Sequence, residues 1–320
     1  MSNWFRIARN TFQESLREPV SVLLLFAVLA VIAIYPACAS FVFYEEQKFV
    51  TDGTMATIWF GAFLCATVAA GNTVCRELRN GAILLILAKP VGRFTYFAGK
   101  LAGVVAGTLF FGIVSCCGAL TALAAATDTY LYETPLVLIP LGILVVAALI
   151  GAAMNFLRGT SFAEWTNYMT GLLTVGFCLA EMTTTQKLPF DLAEAVKALL
   201  ALLAAMTVLG TLAGTVAFYF DFVPTLGVMF GVFLTGTLSQ FFFVRETGIA
   251  ALDFLLRIAY AVLPDWQLFW LADAVAMKHD IPWRYVAWAW CDALTAVALV
   301  ILWGNELFIR REAAAIDRKY

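Results

Sequence analysis

Long uninterrupted apolar runs are the feature that most limits the folds open to this chain. A helix needs about 20 apolar residues to cross the ~30 Å hydrocarbon core of a bilayer, and lipid offers no partner to an unpaired backbone group. The runs are too long and continuous for barrel strands. They predict an all-α polytopic membrane bundle with eight spans, at residues 20–43, 55–74, 100–126, 136–156, 162–180, 198–220, 224–243 and 286–306.

The overall composition agrees with an integral membrane protein. Hydrophobic residues make up 62% of the chain and charged residues 13%, whereas soluble domains average about 25% charged residues. No linker or internal repeat divides the chain, so residues 1–320 are predicted to form one permease-like membrane domain. The net charge of −2 and the lack of a long basic block argue against nucleic acid. A single histidine, His279, and the absence of a Cys-x-x-Cys pair argue against a metal site.

Residues 1–19 precede the first span and have the pattern of an amphipathic helix. Apolar residues recur there at helical spacing with polar residues between them, at Trp4, Phe5, Ala8, Phe12 and Leu16. This pattern predicts a helix in the membrane interface, and an ordinary cytoplasmic leader is the alternative. The first span is longer than the 7 to 15 apolar residues of a signal peptide, so we expect it in the mature protein.

Basic residues predict the orientation of the chain. Eight crossings place both termini on one side, although the short turn from Asp221 to Pro224 could instead be a kink in one helix. With the N-terminus in the cytoplasm, 13 of the 20 basic residues lie inside: Arg6, Arg9, Arg17, Arg76, Arg79, Lys89, Arg93, Lys100, Arg158, Arg310, Arg311, Arg318 and Lys319. Positive charge in short flanks resists translocation, so this bias favours cytoplasmic termini.

The connection at residues 75–93 differs from an ordinary short loop. A charged turn at Arg76, Glu77 and Arg79 is followed by Asn80-Gly81, a pair suited to ending a helix. Five apolar residues come next, including Leu84 and Leu85, in a segment too short to span. Such a segment has to be covered by headgroups, by other helices or by a partner. Lys89-Pro90 then ends it, and Arg93 precedes the next span.

This loop resembles that of the permease subunits of ABC-2 type ATP-binding-cassette transporters. The resemblance rests on Glu77, Gly81, Leu84-Leu85, Lys89-Pro90, Arg93 and Gly99-Lys100 in that order. An N-terminal helix ending in Glu14-Ser15-Leu16-Arg17, a Pro-containing outer region and a terminal Arg310-Arg311-Glu312 are also similar to the family. The match touches most of the chain and is most specific in the loop.

The resemblance implies a plasma (inner) membrane subunit that couples to a cytoplasmic ABC ATPase and to a second permease subunit. ATP and Mg would then be bound by the ATPase, and this chain would carry no cofactor and no catalytic residue. The residues expected to couple to the ATPase are Arg76, Glu77, Arg79, Gly81, Leu84, Leu85, Lys89, Pro90 and Arg93. A phosphate loop of this chain's own is excluded by spacing, since six residues separate Gly92 from Gly99 and Leu101 stands where Ser or Thr is needed.

The sequence departs from the family pattern in two respects. Arg79 and Ala82 stand where family members often have an acidic residue and a threonine. The family core has six spans, so residues 136–180 are interpreted as a possible inserted helical hairpin. Near this hairpin, the family does not indicate where a translocation path would run.

Residues 244–285 are predicted to form two short helices that dip into the outer leaflet. An apolar face recurs there at helical spacing, and a second apolar piece follows Pro264. An ordinary solvated loop is the alternative.

Glycines repeat at every fourth position in three spans, at Gly99, Gly103 and Gly107, at Gly210 and Gly214, and at Gly227 and Gly231. Such faces let helices approach closely. We favour packing within the chain over a dimer seam. Of the polar residues predicted at membrane depth, Asp292 is the strongest candidate for a substrate path, because a charged side chain there is costly.

The leading hypothesis is the membrane subunit of an ATP-driven exporter of unknown substrate. The alternative is a non-transporting membrane scaffold for envelope assembly or enzyme maturation. A secondary carrier would need intramembrane ion ligands and repeated halves, which the sequence lacks.

Overall fold

The protein is an all-α membrane bundle. The computed structural model describes residues 3–39, 41–42, 45–79, 92–126, 134–184, 188, 190–239, 241 and 264–317, and this part of the chain contains no β-strand. Helix α1 spans Asn3–Arg17 and α2 spans Pro19–Ala39. Helix α3 spans Glu46–Ala70, continues through a π-helical turn at Gly71–Cys75 and ends as the short α4, Arg76–Arg79.

The second part of the bundle begins at residue 93. Helix α5 spans Arg93–Ala125, α6 spans Thr134–Arg158, α7 spans Phe162–Thr184, α8 spans Leu192–Ala217 and α9 spans Phe222–Thr237. A 3-10 turn at Trp266–Phe269 and the short α10, Ala272–Ala276, precede α11, Trp283–Asp317. Each of the eight predicted spans therefore overlaps one helix, although α3 begins nine residues before the predicted start at 55 and α11 ends 11 residues after the predicted end at 306.

Six of these helices, counted within the described residues, are both long and apolar enough to cross a membrane: α2, α3 with its π turn, α5, α6, α8 and α11. Helix α7 is long enough at 23 residues but carries Glu164, Asn167 and Glu181. Helix α9 is apolar but has 16 residues, or about 24 Å at 1.5 Å per residue. Crossing by α7 and α9 thus stays a prediction.

The core lies between α3, α5 and α8. Of the most apolar window in each helix, 78% is buried in α3 and in α8, against 17% in α11. Helix α11 therefore presents most of its surface to the outside of the bundle, where Leu299, Leu302 and Trp303 are exposed. These surfaces suit contact with lipid, because apolar side chains gain nothing by hiding from acyl chains.

Helices α6 and α7 form an antiparallel hairpin. Gly159 joins them with a φ of +64°, a conformation that glycine adopts without the steric cost of a Cβ. The helices pack on each other and on α2 and α5. The predicted hairpin at residues 136–180 is present in this form, while its origin as an insertion stays a prediction.

The glycine repeats divide into two groups. Gly99, Gly103 and Gly107 of α5 face α1, and Gly210 and Gly214 of α8 face α5, so these repeats pack within the chain as predicted. Within the part of the chain that the structure describes, a Cβ at Gly227 or Gly231 of α9 would meet nothing within 4 Å. For these two positions, packing within the chain stays a prediction.

Candidate functional site

Helix α1 lies in a groove of α5 made by three glycines. A Cβ at Gly103 would lie 2.4 Å from the Thr11 Cβ and 2.8 Å from the Ala8 carbonyl oxygen, and one at Gly99 would lie 3.0 Å from Ile7. Only glycine allows the two backbones to come so close. The groove therefore fixes α1 beside the start of α5, while the side chains of Trp4 and Phe5 remain half-exposed.

This packing brings the end of α1 to the end of α3. The Arg76 guanidinium donates from Nη2 to Glu14 Oε1 at 2.7 Å and from Nη1 to Glu18 Oε1 at 2.6 Å. Glu14 and Glu18 are four residues apart, and residues at that spacing share one side of a helix. One arginine at the end of α3 thus holds two carboxylates from the α1–α2 corner.

A second cation extends the cluster into the bundle. The Lys100 Nζ lies 2.7 Å from Glu77 Oε1 and 3.7 Å from Glu14 Oε2, and the Tyr96 hydroxyl donates to Glu77 Oε2 at 2.7 Å. Lys100 is 4% exposed. The carboxylates beside it matter for stability, since an unpaired buried charge is very costly.

We call Glu14, Glu18, Arg76, Glu77, Tyr96 and Lys100 the charged cluster. It contains three carboxylates and two cations. The hydrogen bond to Glu14, and then the charges of Glu18 and Glu14, hold the pKa of Arg76 above its usual range. The cluster joins α1, α4 and α5 at one end of the bundle, which we call the α1 end.

Further polar contacts tie the hairpin to the same end. Arg17 Nε donates to Glu164 Oε2 at 2.8 Å, and this bond holds the pKa of Arg17 above its usual range. The buried Asn167 amide donates to the Leu16 carbonyl and to the Ser21 hydroxyl. Glu164 and Asn167, two polar residues of α7, therefore have partners at the helix end.

The π-helical turn sits directly before Arg76. A Cβ at Gly71 would lie 2.2 Å from the Phe222 ring, so α3 and the start of α9 are in close contact there. The Cys75 thiol lies 3.4 Å from the Ala217 carbonyl oxygen and 3.2 Å from that of Phe220. These carbonyls belong to the end of α8, where backbone acceptors lack helical partners.

An open groove borders the cluster on the outside of the protein. It has a volume of about 610 Å³ and is lined by Asn10, Gln13, Glu14, Arg17, Glu18 and Arg76. Its polar lining includes the exposed edges of two ion pairs. A groove of this kind can receive polar or charged side chains of another molecule.

The structure places the predicted coupling residues unequally. Arg76 and Glu77 belong to the charged cluster, Arg79 ends α4, and Arg93 is exposed at the start of α5. The remaining five lie outside the described residues: Gly81, Leu84, Leu85, Lys89 and Pro90. Asp292 lies on a different helix, α11, where it is exposed at the bundle surface. The structure thus does not bring Asp292 together with the charged cluster.

Sequence reasoning missed four members of the cluster as functional candidates. Glu14 and Lys100 appeared as part of the resemblance but not among the coupling residues, and Glu18 and Tyr96 were not selected. The available signal was the i, i+4 spacing of Glu14 and Glu18 beside a membrane span, which suggests a shared cation. Nothing in the sequence says which cation, because Arg76 is 62 residues from Glu14 along the chain.

Among the described residues, no group of three or more His, Cys, Asp or Glu side chains could hold a metal ion. Comparison with models of known protein families and with curated proteins finds no match to this sequence. What this site does is therefore inferred from its geometry and from the loop pattern.

Proposed function

We propose that this protein is the membrane subunit of an ATP-driven ABC transporter of the ABC-2 type, working with a cytoplasmic ATPase and a second permease subunit. The observation that carries the proposal is the charged cluster. Arg76 and Glu77 precede the 80–91 segment and Tyr96 and Lys100 follow it, and both flanks are bonded to each other or to α1.

The cluster gives a physical route for transmission of force. A push on the 80–91 segment would move its two flanks together, because Glu77 bonds to Lys100 and Tyr96 across it. Arg76 would pass that movement to the α1–α2 corner through Glu14 and Glu18. A switch of this kind needs contacts that differ between two states, and ATP-dependent closure of a partner would supply them.

Glu77 has a different role in this proposal from the one expected of its sequence position. Its carboxylate is bonded within the chain, so it anchors the base of the loop and leaves partner contact to other groups. The open groove beside Glu18 and Arg76 is the place where a residue of the ATPase would reach the cluster. We expect this groove to lie in the cytoplasm, because the basic residues at the α1 end favour that side under the positive-inside rule.

The test is reconstitution of the permease with its ATPase in lipid vesicles, with ATP hydrolysis and substrate movement measured separately. Glu77→Gln is expected to keep ATP hydrolysis and lose most of the transport per ATP. Glu45→Gln is the matched control, since Glu45 is an exposed carboxylate at the opposite end. Transport that persists in Glu77→Gln and in Gly81→Pro would contradict coupling through this loop, and partner binding without any ATP-dependent movement would favour a scaffold.

A further inference from the structure

An aromatic cavity lies at the end of the bundle opposite α1. It has a volume of about 310 Å³, within the range of natural ligand pockets. Its inner wall comes from three helices and the 3-10 turn, with Trp59 of α3, Leu202 and Ala205 of α8, Phe233 of α9, and Trp266 and Phe269. All six side chains are buried, with exposures of 8% or less.

The walls of the cavity are held by ring contacts. The Trp59 ring centroid lies 5.6 Å from that of Phe233 and 5.1 Å from that of Trp266. A Cβ at Gly236 would come within 2.2 Å of the Trp266 ring nitrogen, so the 3-10 turn is packed tightly against α9. Such packing resists collapse, and the cavity is a lasting feature of this end of the bundle.

Three polar side-chain groups of the lining, those of Thr237, Trp266 and Gln267, are already engaged in hydrogen bonds. Trp266 Nε1 donates to the Val232 carbonyl at 3.3 Å, Gln267 Nε2 donates to the Thr237 carbonyl at 3.1 Å, and the Thr237 hydroxyl donates to the Phe233 carbonyl at 2.8 Å. A water molecule in a cavity needs two to four polar partners. The cavity therefore suits an apolar occupant better than water.

The mouth of the cavity opens onto the exposed surface of α3 and α9. Ala56 and Phe60 line it and are exposed, Phe60 at 49%. Phe230 and Leu234 of the adjoining α9 surface are exposed at 47% and 40%. Ala56 follows Asp52 by four residues, so it lies about 6 Å farther along the spanning helix α3. The cavity is thus continuous with an exposed apolar surface that suits contact with acyl chains.

We propose that this cavity binds an acyl chain of a bilayer phospholipid. The volume is about twice that of the ~150 Å³ apolar cavity that holds benzene, so it has room for roughly a dozen carbon atoms. A chain leaving the bilayer gains no hydrophobic free energy. Binding is favoured because an empty cavity forfeits dispersion contacts that a flexible chain restores. The proposal is independent of transport, since a lipid can occupy this site in a transporter or a scaffold.

The experiment uses the full chain in phosphatidylcholine and phosphatidylglycerol nanodiscs that contain a phospholipid with a diazirine in mid-chain. After illumination, adducts are mapped by mass spectrometry. We expect adducts at Ala56–Phe60 and Trp266–Trp270 in excess of those on the lipid-facing Leu299 of α11. Ala205→Phe fills the cavity, and it should lower the cavity adducts about five-fold or more because a close-packed interior leaves no room for both groups.

Two further variants keep the test decisive if Ala205→Phe fails to fold. Ala56→Phe blocks the mouth from an exposed position and should give the same loss. Ala298→Phe places the same ring on the exposed face of α11 and should leave the cavity adducts unchanged. The proposal is overturned if cavity adducts do not exceed those at Leu299, if they persist in Ala56→Phe, or if a free diazirine fatty acid labels the cavity and the phospholipid does not.

Discussion

The Lys100 ammonium lies 2.7 Å from the Glu77 carboxylate, although the two residues stand on either side of the 80–91 segment. The side chain of Lys100 is 5% exposed and that of Glu77 is 21% exposed. The pair therefore closes the base of the connection between α3 and α5. It also explains how a lysine can be tolerated at the first turns of a helix that enters the membrane.

Breaking this pair is expected to destabilise the fold. Lys100→Met should lower the free energy of unfolding by about 3 kcal/mol, near the low end for a broken buried pair, because Glu77 keeps some contact with solvent. Chemical unfolding in detergent, followed by tryptophan fluorescence, measures this loss. Glu164→Gln is the comparison, since its partner Arg17 has a 57% exposed side chain and exposed pairs contribute about 0–1 kcal/mol. Equal losses of unfolding free energy in Lys100→Met and Glu164→Gln would contradict a larger contribution from the buried Lys100 pair.

A double substitution separates the pair from the rest of the cluster. Glu77→Gln combined with Lys100→Met should recover about 1 kcal/mol or more relative to the sum of the single changes, as expected for residues in direct contact. The recovery follows because each single variant leaves one charge of the pair without its partner, whereas the double variant removes both charges. Strictly additive losses would show that the two side chains do not depend on each other.

The groove that receives α1 should reject even one methyl group at Gly103. Gly103→Ala is expected to cost about 1–3 kcal/mol, as overpacking does, because the new Cβ meets the Ala8 carbonyl oxygen on the α1 backbone. Gly107→Ala is the matched control, since its Cβ would lie 3.4 Å from Ser15, an ordinary contact. Limited proteolysis within α1 reports the displacement. Faster cleavage in Gly103→Ala alone supports the packing, and equal cleavage contradicts it.

The exposed carboxylate of Asp292 on α11 gives a prediction about stability and transport. A lone carboxylate at membrane depth costs about 2.5–3.5 kcal/mol on insertion scales, so Asp292→Leu should raise the thermal midpoint of the isolated chain in nanodiscs. If Asp292 lines a substrate path, the same change should lower transport by the assembled complex. Glu306→Leu, which removes another exposed carboxylate of α11, controls for surface charge. Unchanged transport in Asp292→Leu would remove it from the path.

Orientation can be tested in intact cells with a membrane-impermeant thiol reagent. In a background with Cys38 and Cys291, the exposed cysteines, replaced by Ser, Arg93→Cys should be protected and Asp280→Cys should react. Both positions are exposed and lie at opposite ends of the bundle. The expectation follows from the basic residues at the α1 end. Reaction at Arg93→Cys from outside would place the charged cluster on the wrong side for an ATPase.

Helices were predictable because each apolar run has to satisfy its own backbone hydrogen bonds in lipid. Helix α2 begins at Pro19, one residue before the predicted start, and the π turn that extends α3 ends at Cys75, one residue after the predicted end. The hairpin turn at Gly159 lies inside a predicted connection. The pattern of residues within each helix was therefore enough to predict most of the helices of the bundle. The prediction of a membrane span was weaker where a helix is long enough to cross but polar, as in α7 with Glu164 and Asn167.

Contacts between distant helices were much less predictable. Glu77 looked like a docking residue because its charge stands in a loop, but its bonds to Lys100 and Tyr96 depend on how α5 packs against α3. The glycines of α5 indicated a close neighbour without identifying α1 as that neighbour. The aromatic cavity combines α3, α8, α9 and the 3-10 turn, and no local periodicity connects residues so far apart in sequence.

The π-helical turn at Gly71–Cys75 sets the direction in which the whole charged cluster points. A π turn holds one residue more than an α turn, and one residue corresponds to about 100° of rotation around a helix. Shortening this turn by a residue would swing Glu77 about a quarter of a circle away from Lys100 while leaving every residue of the cluster in the sequence. The rotation that these five residues give to α4 is thus as necessary to the ion pairs as the charges themselves.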